Sequence, residues 1–262
     1  MAVFNFMKKF LNYWKSVFGL AFQIAKAEFK LRNEGTWLGN LWYLLIPILT
    51  FLIFFGVFSQ NLGENIPNYA VYLFMGIIVF GLFQKVTDES VKTIKQHQGI
   101  IKSINFNRVS LVFASLLKSV FAHFFEMLVL VGLFILFGIS LKGLIFYPFI
   151  LVFFLIFIFG SSLILASISV YFVDLENIWS FVSRIVWLLT PIFYSSDIKS
   201  HISFLNYLNP LFYYISAFRE LVIYLEFPSR YILFGCFAAS AISLILGLLL
   251  FDKLSRRFAE MI

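Results

Sequence analysis

The side chains that could carry chemistry are few, and they lie far apart in the sequence. The three histidines, His97, His123 and His201, fall in different segments, and the single cysteine, Cys236, lies inside an apolar run. The sequence has no HExxH, GxSxG or GxxxxGK[ST] motif, the patterns of a zinc site, a serine nucleophile and a phosphate-binding loop. We therefore expect no catalytic residue, no metal site and no cofactor in this chain. Any energy for uphill transport must enter through a partner or an ion gradient.

His123 and Glu126 stand one helical turn apart inside an apolar run, with Lys118 nearer the start of that run. A carboxylate in hydrocarbon costs free energy unless it is paired, protonated or hydrated, so Glu126 is a candidate functional group. Two interpretations stay open. Glu126 either takes part in a proton relay, or it belongs to a polar cluster that packs helices together and faces Arg184 or a serine.

The elements that must position these residues are membrane spans. Of the 262 residues, 61% are hydrophobic and 13% are charged, against about 25% charged in an average soluble domain. Crossing a hydrocarbon core of about 30 Å takes about 20 apolar residues of helix. Six apolar stretches come near this length: 41–58, 69–83, 111–137, 145–173, 178–194 and 231–251. The sequence predicts an all-α membrane protein, a single transmembrane domain over residues 1–262 with six transmembrane helices.

The distribution of Lys and Arg predicts the orientation of these spans. Basic residues concentrate before residue 33, between residues 85 and 108 and after residue 252, whereas residues 59–68 contain none. Positive charge marks the cytoplasmic side of a membrane protein. We expect both termini in the cytoplasm and an even number of crossings.

Two further segments are expected at the membrane surfaces. Residues 4–32 place their lysines on one helical stripe and their aromatic residues opposite, which predicts an amphipathic interface helix; a helix packed on the rest of the protein is the alternative. Residues 205–224 are apolar enough for a seventh span, but Arg219 and Glu220 would each cost about 2.5–3.5 kcal/mol at the bilayer centre. We therefore predict a re-entrant or interfacial hairpin on the outer side, over residues 195–229.

The segment 99–110 is unusually apolar for a cytoplasmic loop. Ile100, Ile101, Ile104 and Phe106 could form a short helix with an apolar face. A water-exposed apolar patch favours docking of a cytosolic partner. Burial against the N-terminal helix is the alternative.

Aromatic side chains have two possible roles here. Trp37, Trp42, Trp179 and Tyr194 could be belt residues in the headgroup zones. Near a pore, aromatic rings would suit sugars, because their faces stack on C–H groups and their polar tips bond hydroxyls. The rings in question are Tyr43, Trp187, Tyr194, Tyr207, Tyr213 and Tyr214.

Three groups of residues together resemble a known family. They are FKLR at 29–32 with WLGNLW at 37–42 and Pro47, then DLENIW at 174–179 with TPIFY at 190–194, and NP at 209–210 with FRE at 218–220. In order and spacing they look like the first-span entry, the fifth-span signature and the outer hairpin of ABC-2 type transport permeases. Val173 departs from the pattern, since many members have Arg there, and Glu220 stands where many have Asp.

Within that family the chain looks most like the membrane subunit of exporters for O-antigen and related lipid-linked polysaccharides. The resemblance implies a homodimer in the bacterial inner membrane with two copies of a separate ATPase, which would bind ATP and Mg and could carry a carbohydrate-binding domain. A channel between the two copies, lined by spans one and five, would carry the glycan, and no nucleic acid is expected. Export of teichoic acid, a drug or a lipid is the alternative, and a proton-coupled carrier or membrane enzyme centred on Glu126 is a third.

The resemblance also implies roles for individual residues. The path would run near Trp42, Tyr43, Trp187, Tyr194, Tyr213 and Tyr214. The segment 99–110 would be a coupling helix that meets the ATPase through Ile100, Ile101, Lys102, Phe106 and Arg108. Structural or gating roles would fall to Glu126, Asp174, Arg184, Arg219 and Glu220, and the hairpin at 195–229 would form the exit gate.

Overall fold

The computed structural model describes residues 2–33, 39–60, 62–64, 66–104, 106–195 and 204–261, and every regular element in these ranges is helical. The helices are α1 (Ala2–Asn33), α2 (Trp42–Phe58), α3 (Tyr69–Gln96), α4 (Gln98–Ser103), α5 (Val109–Leu136), α6 (Tyr147–Ser169), α7 (Leu175–Leu189), α8 (Phe204–Leu208), α9 (Pro210–Phe218), α10 (Arg230–Ser255) and α11 (Phe258–Met261). Short 3₁₀ turns precede α2 and α6, at Gly39–Leu41 and Leu141–Phe146, and a π-helical segment, Arg219–Tyr224, follows α9. Trp37, His201 and residues 196–203 of the predicted hairpin lie outside the described residues, as do the side chains of α1 before Trp14.

Within the described residues, four elements are long and apolar enough to cross a membrane: Tyr69–Gln96, Val109–Leu136, Leu141–Ser169 and Arg230–Ser255. With 28 residues, α3 is about 42 Å long at about 1.5 Å per residue, so it extends beyond the hydrocarbon. The polar residues 84–96 therefore belong to the same helix as the second predicted apolar stretch. α2 is apolar but shorter, at 17 residues. The helical membrane class is confirmed, and the count of six crossings stays a prediction.

The fifth predicted span, 178–194, is not one helix. α7 begins at Leu175 and ends at Leu189, and Thr190 is extended with ψ of 133°. The cause is Pro191, because the ring of a proline excludes the preceding residue from the α-helical region. Residues 190–194, here named the post-α7 segment, continue as irregular backbone.

The core forms around α3. From Tyr69 to Phe80 every side chain of α3 is buried, because α2, α5, α6, α7 and α9 all pack on it. A helix that is apolar on all faces is typical of such a central position.

α6 and α10 pack at close range through small residues. A Cβ at Gly160 would collide with the backbone of Ser243, and a Cβ at Gly247 would collide with the backbone of Gly160. The close approach lets Ser240 donate to the Phe153 carbonyl at 2.8 Å. Small residues at such contacts are typical of helices that associate inside membranes.

The described part of the predicted outer hairpin folds into α8, α9 and the π-helical segment. Side chains from α9 and the π-helical segment are mostly buried, with α9 packed on α3, α6 and α10. The chain reverses at Leu225, which has a left-handed φ of 58°. Its re-entrant placement in a membrane stays a prediction.

The contact between α6 and α10 gives a first test. Replacing Gly160 with Ala should lower the stability of the purified protein by about 1–3 kcal/mol, because the added methyl group must displace backbone rather than a mobile side chain. Thermal unfolding in detergent measures the change. Gly132→Ala in α5 is the matched control, since nothing lies within 4 Å of a Cβ there. Equal melting temperatures for the two variants would contradict the packing described.

Candidate functional site

A groove runs between α2 and α7, with α3 as its floor. Its larger part is a cavity of about 410 Å³. The lining residues are Ile46, Pro47, Thr50 and Phe54 of α2, Ile77, Phe80, Gly81, Gln84, Lys85 and Asp88 of α3, Glu126 of α5, and Arg184 and Trp187 of α7. Charged, aromatic and aliphatic side chains therefore face the same space.

The smaller part of the groove is a cavity of about 270 Å³ that shares Ile46, Lys85 and Asp88 with the larger part. Its other lining residues are Trp42, Tyr43, Glu89, Lys118, Ser119 and Ala122. We call the two cavities together the α2 groove. The groove follows α2 along much of its length and ends near the start of that helix.

Glu126 is buried beside this groove, and each of its two carboxylate oxygens has a hydrogen-bond partner. Lys85 donates to one carboxylate oxygen, and Nδ1 of His123 lies 2.7 Å from the other. Nε2 of the same ring lies 2.7 Å from the hydroxyl of Tyr147. These four residues, here named the Glu126 cluster, connect α3, α5 and α6. Glu126 therefore belongs to a polar cluster between helices, in which the cation is Lys85 rather than Arg184.

Sequence reasoning missed two members of this cluster. It counted Lys85 only among the basic residues that mark the cytoplasmic side, although Lys85 stands just two residues beyond the apolar stretch 69–83. Tyr147 gave no signal, because the periodicity of one helix carries no information on its register against another. A basic residue directly after the apolar part of a span could have indicated a partner for a buried carboxylate.

Arg219 is buried without a carboxylate in its described contacts. Its guanidinium donates to the carbonyls of Pro191 at 2.6 Å, Ile192 at 2.8 Å and Tyr72 at 3.1 Å. It also lies 3.3 Å from the ring centre of Tyr72, a cation–π contact. Gly76 provides the space, since a Cβ there would lie 2.7 Å from Nη2. Arg219 thus joins the π-helical segment to α3 and to the post-α7 segment.

Further hydrogen bonds hold the post-α7 segment against its neighbours. Tyr69 donates to the Phe193 carbonyl at 3.0 Å, and Tyr72 donates to the Tyr194 carbonyl at 2.8 Å. From the other side, Asn209 donates its amide to the hydroxyl of Thr190 at 2.7 Å. The irregular backbone after α7 is therefore bonded to α3 and to the start of α9, which fixes this end of the groove.

The short helix α4 lies at the opposite end of α3. It covers Gln98–Ser103, and the chain is extended at Ile104, so the helix predicted at 99–110 is shorter than expected. Ile101 is buried, whereas Ile100, Lys102 and Ile104 are exposed. The exposed face is thus apolar with a basic residue beside it, as docking requires.

The C-terminal end of the chain packs on this region. Arg108 donates to the Ser255 carbonyl, and its guanidinium lies 5.9 Å from the ring centre of Phe258. Phe258 is fully buried, with its ring edge-on to Phe251, and α11 contacts α4. Arg108 is therefore engaged within its own chain, and it positions the region around α4 rather than projecting from it.

The architecture agrees with a comparison of sequences. The model of the ABC-2 type transporter family matches residues 20–223 of the chain. The chain belongs to the ABC-2 type transporter family. The resemblance seen in the sequence is thereby confirmed, and an ABC-2 chain with four span-length apolar helices is a multi-pass membrane protein.

Three relatives cover almost the whole chain, and a fourth covers about a quarter of it. Two proteins from Klebsiella pneumoniae, each named O-antigen export system permease protein RfbA, are 29% identical to it over 98% of both chains. A Myxococcus xanthus protein of the same name is 23% identical over 93% of this chain and 95% of its own length. The Polysialic acid transport protein KpsM of Escherichia coli is 32% identical over 28% of this chain and 29% of its own length.

Three of the aromatic residues predicted on an ABC-2 path lie in the α2 groove. Trp42 and Tyr43 line its smaller part, and Trp187 lines its larger part. The ring of Trp187 packs edge-on against Phe54, with 5.0 Å between ring centres. Tyr194 lies next to the groove in the post-α7 segment, where its hydroxyl donates to the Leu189 carbonyl.

The other two predicted path residues lie elsewhere. Tyr214 has no exposed surface, and its hydroxyl lies 2.8 Å from the Cys236 carbonyl and 2.5 Å from the hydroxyl of Ser240. This placement corrects the sequence-based one, because Tyr214 packs α9 on α10 in the core. Tyr213 covers Gly235 of α10 and does not belong to the groove lining.

The remaining predicted residues divide between surface and core. Asp174 directly precedes α7 and is exposed, and Arg184 is exposed within the groove. Glu220 is half-buried in the π-helical segment beside Arg219, and its carbonyl accepts from the Glu226 amide at 2.8 Å. Phe106 is half-buried and packs on the core.

The described part of α1 both packs on the protein and exposes aromatic rings. Val17, Ala21 and Ala25 are buried, and α1 packs on α5. Phe22 is exposed, and so is Phe18, whose ring nevertheless meets Phe113 of α5 edge-on at 4.6 Å. The predicted interface helix and the packed helix are therefore compatible, since the small residues face α5 and the rings remain outside.

An ionic network fastens the end of α1. Glu28 lies 3.0 Å from Nε2 of His97 and 2.7 Å from Lys118, which also meets Glu89 at 2.9 Å. The hydrogen bond from His97 lowers the pKa of Glu28 to about 2, against the opposing effect of burial. The same bond raises the pKa of His97 above its ordinary 6.5. Both groups are therefore charged at moderately acidic pH and attract each other.

The contact predicts a pH dependence of α1 docking. The contribution of His97 is complete below about pH 6.5 and is lost as the pH rises through its raised pKa. The contribution of Glu28 is lost only as the pH falls from 4.5 towards 2. Hydrogen exchange of α1 amides, corrected for intrinsic rates, should accelerate several-fold between about pH 6 and about pH 8.5.

Two variants make this test specific. His97→Gln should remove the pH step, whereas Glu176→Gln should keep it, because Glu176 pairs with Lys92 elsewhere on α3. A step of the same size in the His97 variant would assign the effect to another group.

Proposed function

We propose that this chain is the membrane subunit of an ATP-driven exporter that moves lipid-linked polysaccharide of the O-antigen type across the bacterial inner membrane. Near full-length similarity to proteins named O-antigen export system permease supports the substrate class. The observation that carries the mechanism is the α2 groove, a cleft among membrane helices with Trp42, Trp187 and charged side chains on its walls. Aromatic faces and polar groups together suit a hydroxyl-rich polymer.

A second copy of the chain would convert this groove into a channel. The outward face of α2 exposes apolar side chains every three or four residues, and the outward face of α7 does the same. The exposed residues are Trp42, Ile46, Leu49, Ile53 and Val57 on α2, and Phe181, Ile185 and Leu188 on α7. Pairing of these faces in a homodimer would bury them and enclose the groove. Many weak contacts along such a channel would let a polymer pass without stalling.

The orientation follows from counting α2, α3, α5, α6, α7 and α10 as six crossings. Both termini, α1 and α4 then lie on the cytoplasmic side, where the basic residues are concentrated. The post-α7 segment and α9 lie at the outer end, where Arg219 holds them to α3. They would form the exit gate, and rearrangement of their carbonyl contacts would accompany opening.

The energy would come from two copies of a separate ATPase that binds ATP and Mg, and that could carry a carbohydrate-binding domain. The exposed side chains Ile100, Lys102 and Ile104 support α4 as the docking element. The packing of α11 and Arg108 around α4 supports a rigid connection to α10. Motion of the ATPase at α4 would thus reach the helices of the channel.

Two other functions are the alternatives to O-antigen export. Export of teichoic acid, a drug or a lipid would use the same architecture with different groove contacts. A proton-coupled carrier would centre on Glu126, which is hydrogen-bonded to Lys85 and His123.

The energy source separates the carrier from the exporter. In inverted membrane vesicles that contain the permease and the ATPase of the neighbouring reading frame, glycan export should continue when a protonophore collapses the proton gradient. Export should stop when the ATPase loses its catalytic carboxylate, because ATP would be hydrolysed in that subunit. The readout is glycan protected inside the vesicles.

Strains lacking the permease should lose surface glycan and accumulate the lipid-linked precursor. Normal surface glycan in such a strain would rule out O-antigen export as the function and favour another substrate. Loss of export with the protonophore alone would favour the carrier.

The exposed face of α4 gives a separate test. Ile104→Asp should weaken copurification of the ATPase by about thirtyfold, near 2 kcal/mol, because an interface hot spot would receive a charge. Phe227→Asp is the control, since Phe227 is an exposed apolar residue in the irregular segment before α10, outside the span-length helices and at the other end of the proposed crossings. Unchanged binding by the Ile104 variant would rule out this face as the docking site.

A further inference from the structure

Arg184 of α7 places a positive charge in the α2 groove. It lies nine residues after the first residue of α7, about 14 Å along the helix at about 1.5 Å per residue. Its side chain is exposed and lines the larger cavity. The exposed neighbours on α7 are Phe181, Ile185 and Leu188, so an isolated cation stands on an otherwise apolar face.

Among the carboxylates that line the groove, Glu126 and Glu89 form ion pairs with other cations. Glu126 is held by Lys85 and His123. Asp88, although it lines the same cavity, has Lys92, Glu176 and Glu89 as its charged neighbours. The ion pairs found among the described residues do not include Arg184. Its charge is thus left for a group from outside the described chain.

A guanidinium at this depth is costly unless it meets an anion or water, so its position points to a ligand. The planar guanidinium matches a phosphate or a carboxylate through two parallel hydrogen bonds. Around it the groove supplies apolar surface from Ile46, Pro47 and Phe54, where a hydrocarbon chain could lie. Trp187, one turn further along α7, offers a ring for a sugar next to the anion.

We propose that Arg184 binds an oxyanion of the substrate inside the α2 groove, namely the phosphate that joins the lipid carrier to the first sugar. The inference rests on the proposed export function and adds a residue that recognises the substrate. A carboxylate on an acidic sugar has the same chemistry and is the other possible source of the oxyanion. Lys85 is not available for this role, because it neutralises Glu126.

Binding of radiolabelled probes to the permease–ATPase complex in nanodiscs tests the proposal. The probes are a long-chain polyprenyl diphosphate, the uncharged polyprenol of the same length, and an oligosaccharide of glucuronic acid. The wild-type complex should bind the diphosphate, less tightly as salt rises, and bind the polyprenol weakly. Arg184→Gln should weaken diphosphate binding about tenfold or more, because a charge-assisted contact is lost. Arg184→Lys should retain part of the diphosphate binding, since lysine keeps the positive charge but lacks the two parallel N–H groups of the guanidinium.

Arg230→Gln is the matched control, because Arg230 is exposed at the start of α10 and does not line the groove. Arg184-dependent binding of the acidic oligosaccharide alone would support the oxyanion site and assign it to the sugar. Equal binding by wild type and Arg184→Gln, or loss of the dimer with unchanged binding per dimer, would overturn the inference. Export of glycan by the wild type is measured in parallel, so failure of the export function itself is recognised separately.

Discussion

The structure depends on one buried guanidinium. Arg219 has no carboxylate among its described contacts, and its hydrogen bonds go to backbone carbonyls of α3 and of the post-α7 segment. A buried cation is tolerated only where dipoles surround it, so those carbonyls must stay in place. The consequence reaches the groove, because the post-α7 segment follows α7 directly and determines where that wall of the groove ends. Gly76 is part of the same constraint, since a larger side chain would displace the guanidinium.

Two polar networks position the rest of the groove. The Glu126 cluster joins α3, α5 and α6 on the groove floor, and the Glu28 network joins α1 to α3 and α5 next to α4. Both networks include α5, so α5 connects the membrane interior to the region proposed for ATPase docking. Hydrogen bonds in apolar surroundings are directional and costly to break. They therefore give these helices a defined register, which apolar packing alone would specify less strictly.

Several site residues were predictable and several were not, and the difference is physical. The exposed face of α4 was predictable, because an apolar run between charged segments is visible in one dimension. Tyr214 was predicted on the path because of its residue type, but its hydroxyl donates a hydrogen bond to the Cys236 carbonyl of α10 in the core. Arg108 was predicted to face a partner, yet it bonds the end of α10, which lies 147 positions away in sequence. Residue type indicates a chemical capacity, and only packing decides whether that capacity faces solvent, lipid or protein.

The sequence by itself determined the helical membrane class, most of the apolar segments and the membership of the ABC-2 family. These follow from composition and motif order, which do not depend on distant contacts. The tertiary structure alone decided that Lys85 neutralises Glu126, that Arg219 is enclosed by carbonyls and that Arg184 lines the groove outside the ion pairs of the described residues. Each of these depends on the register between helices, and register is set by side-chain packing across segments far apart in the chain.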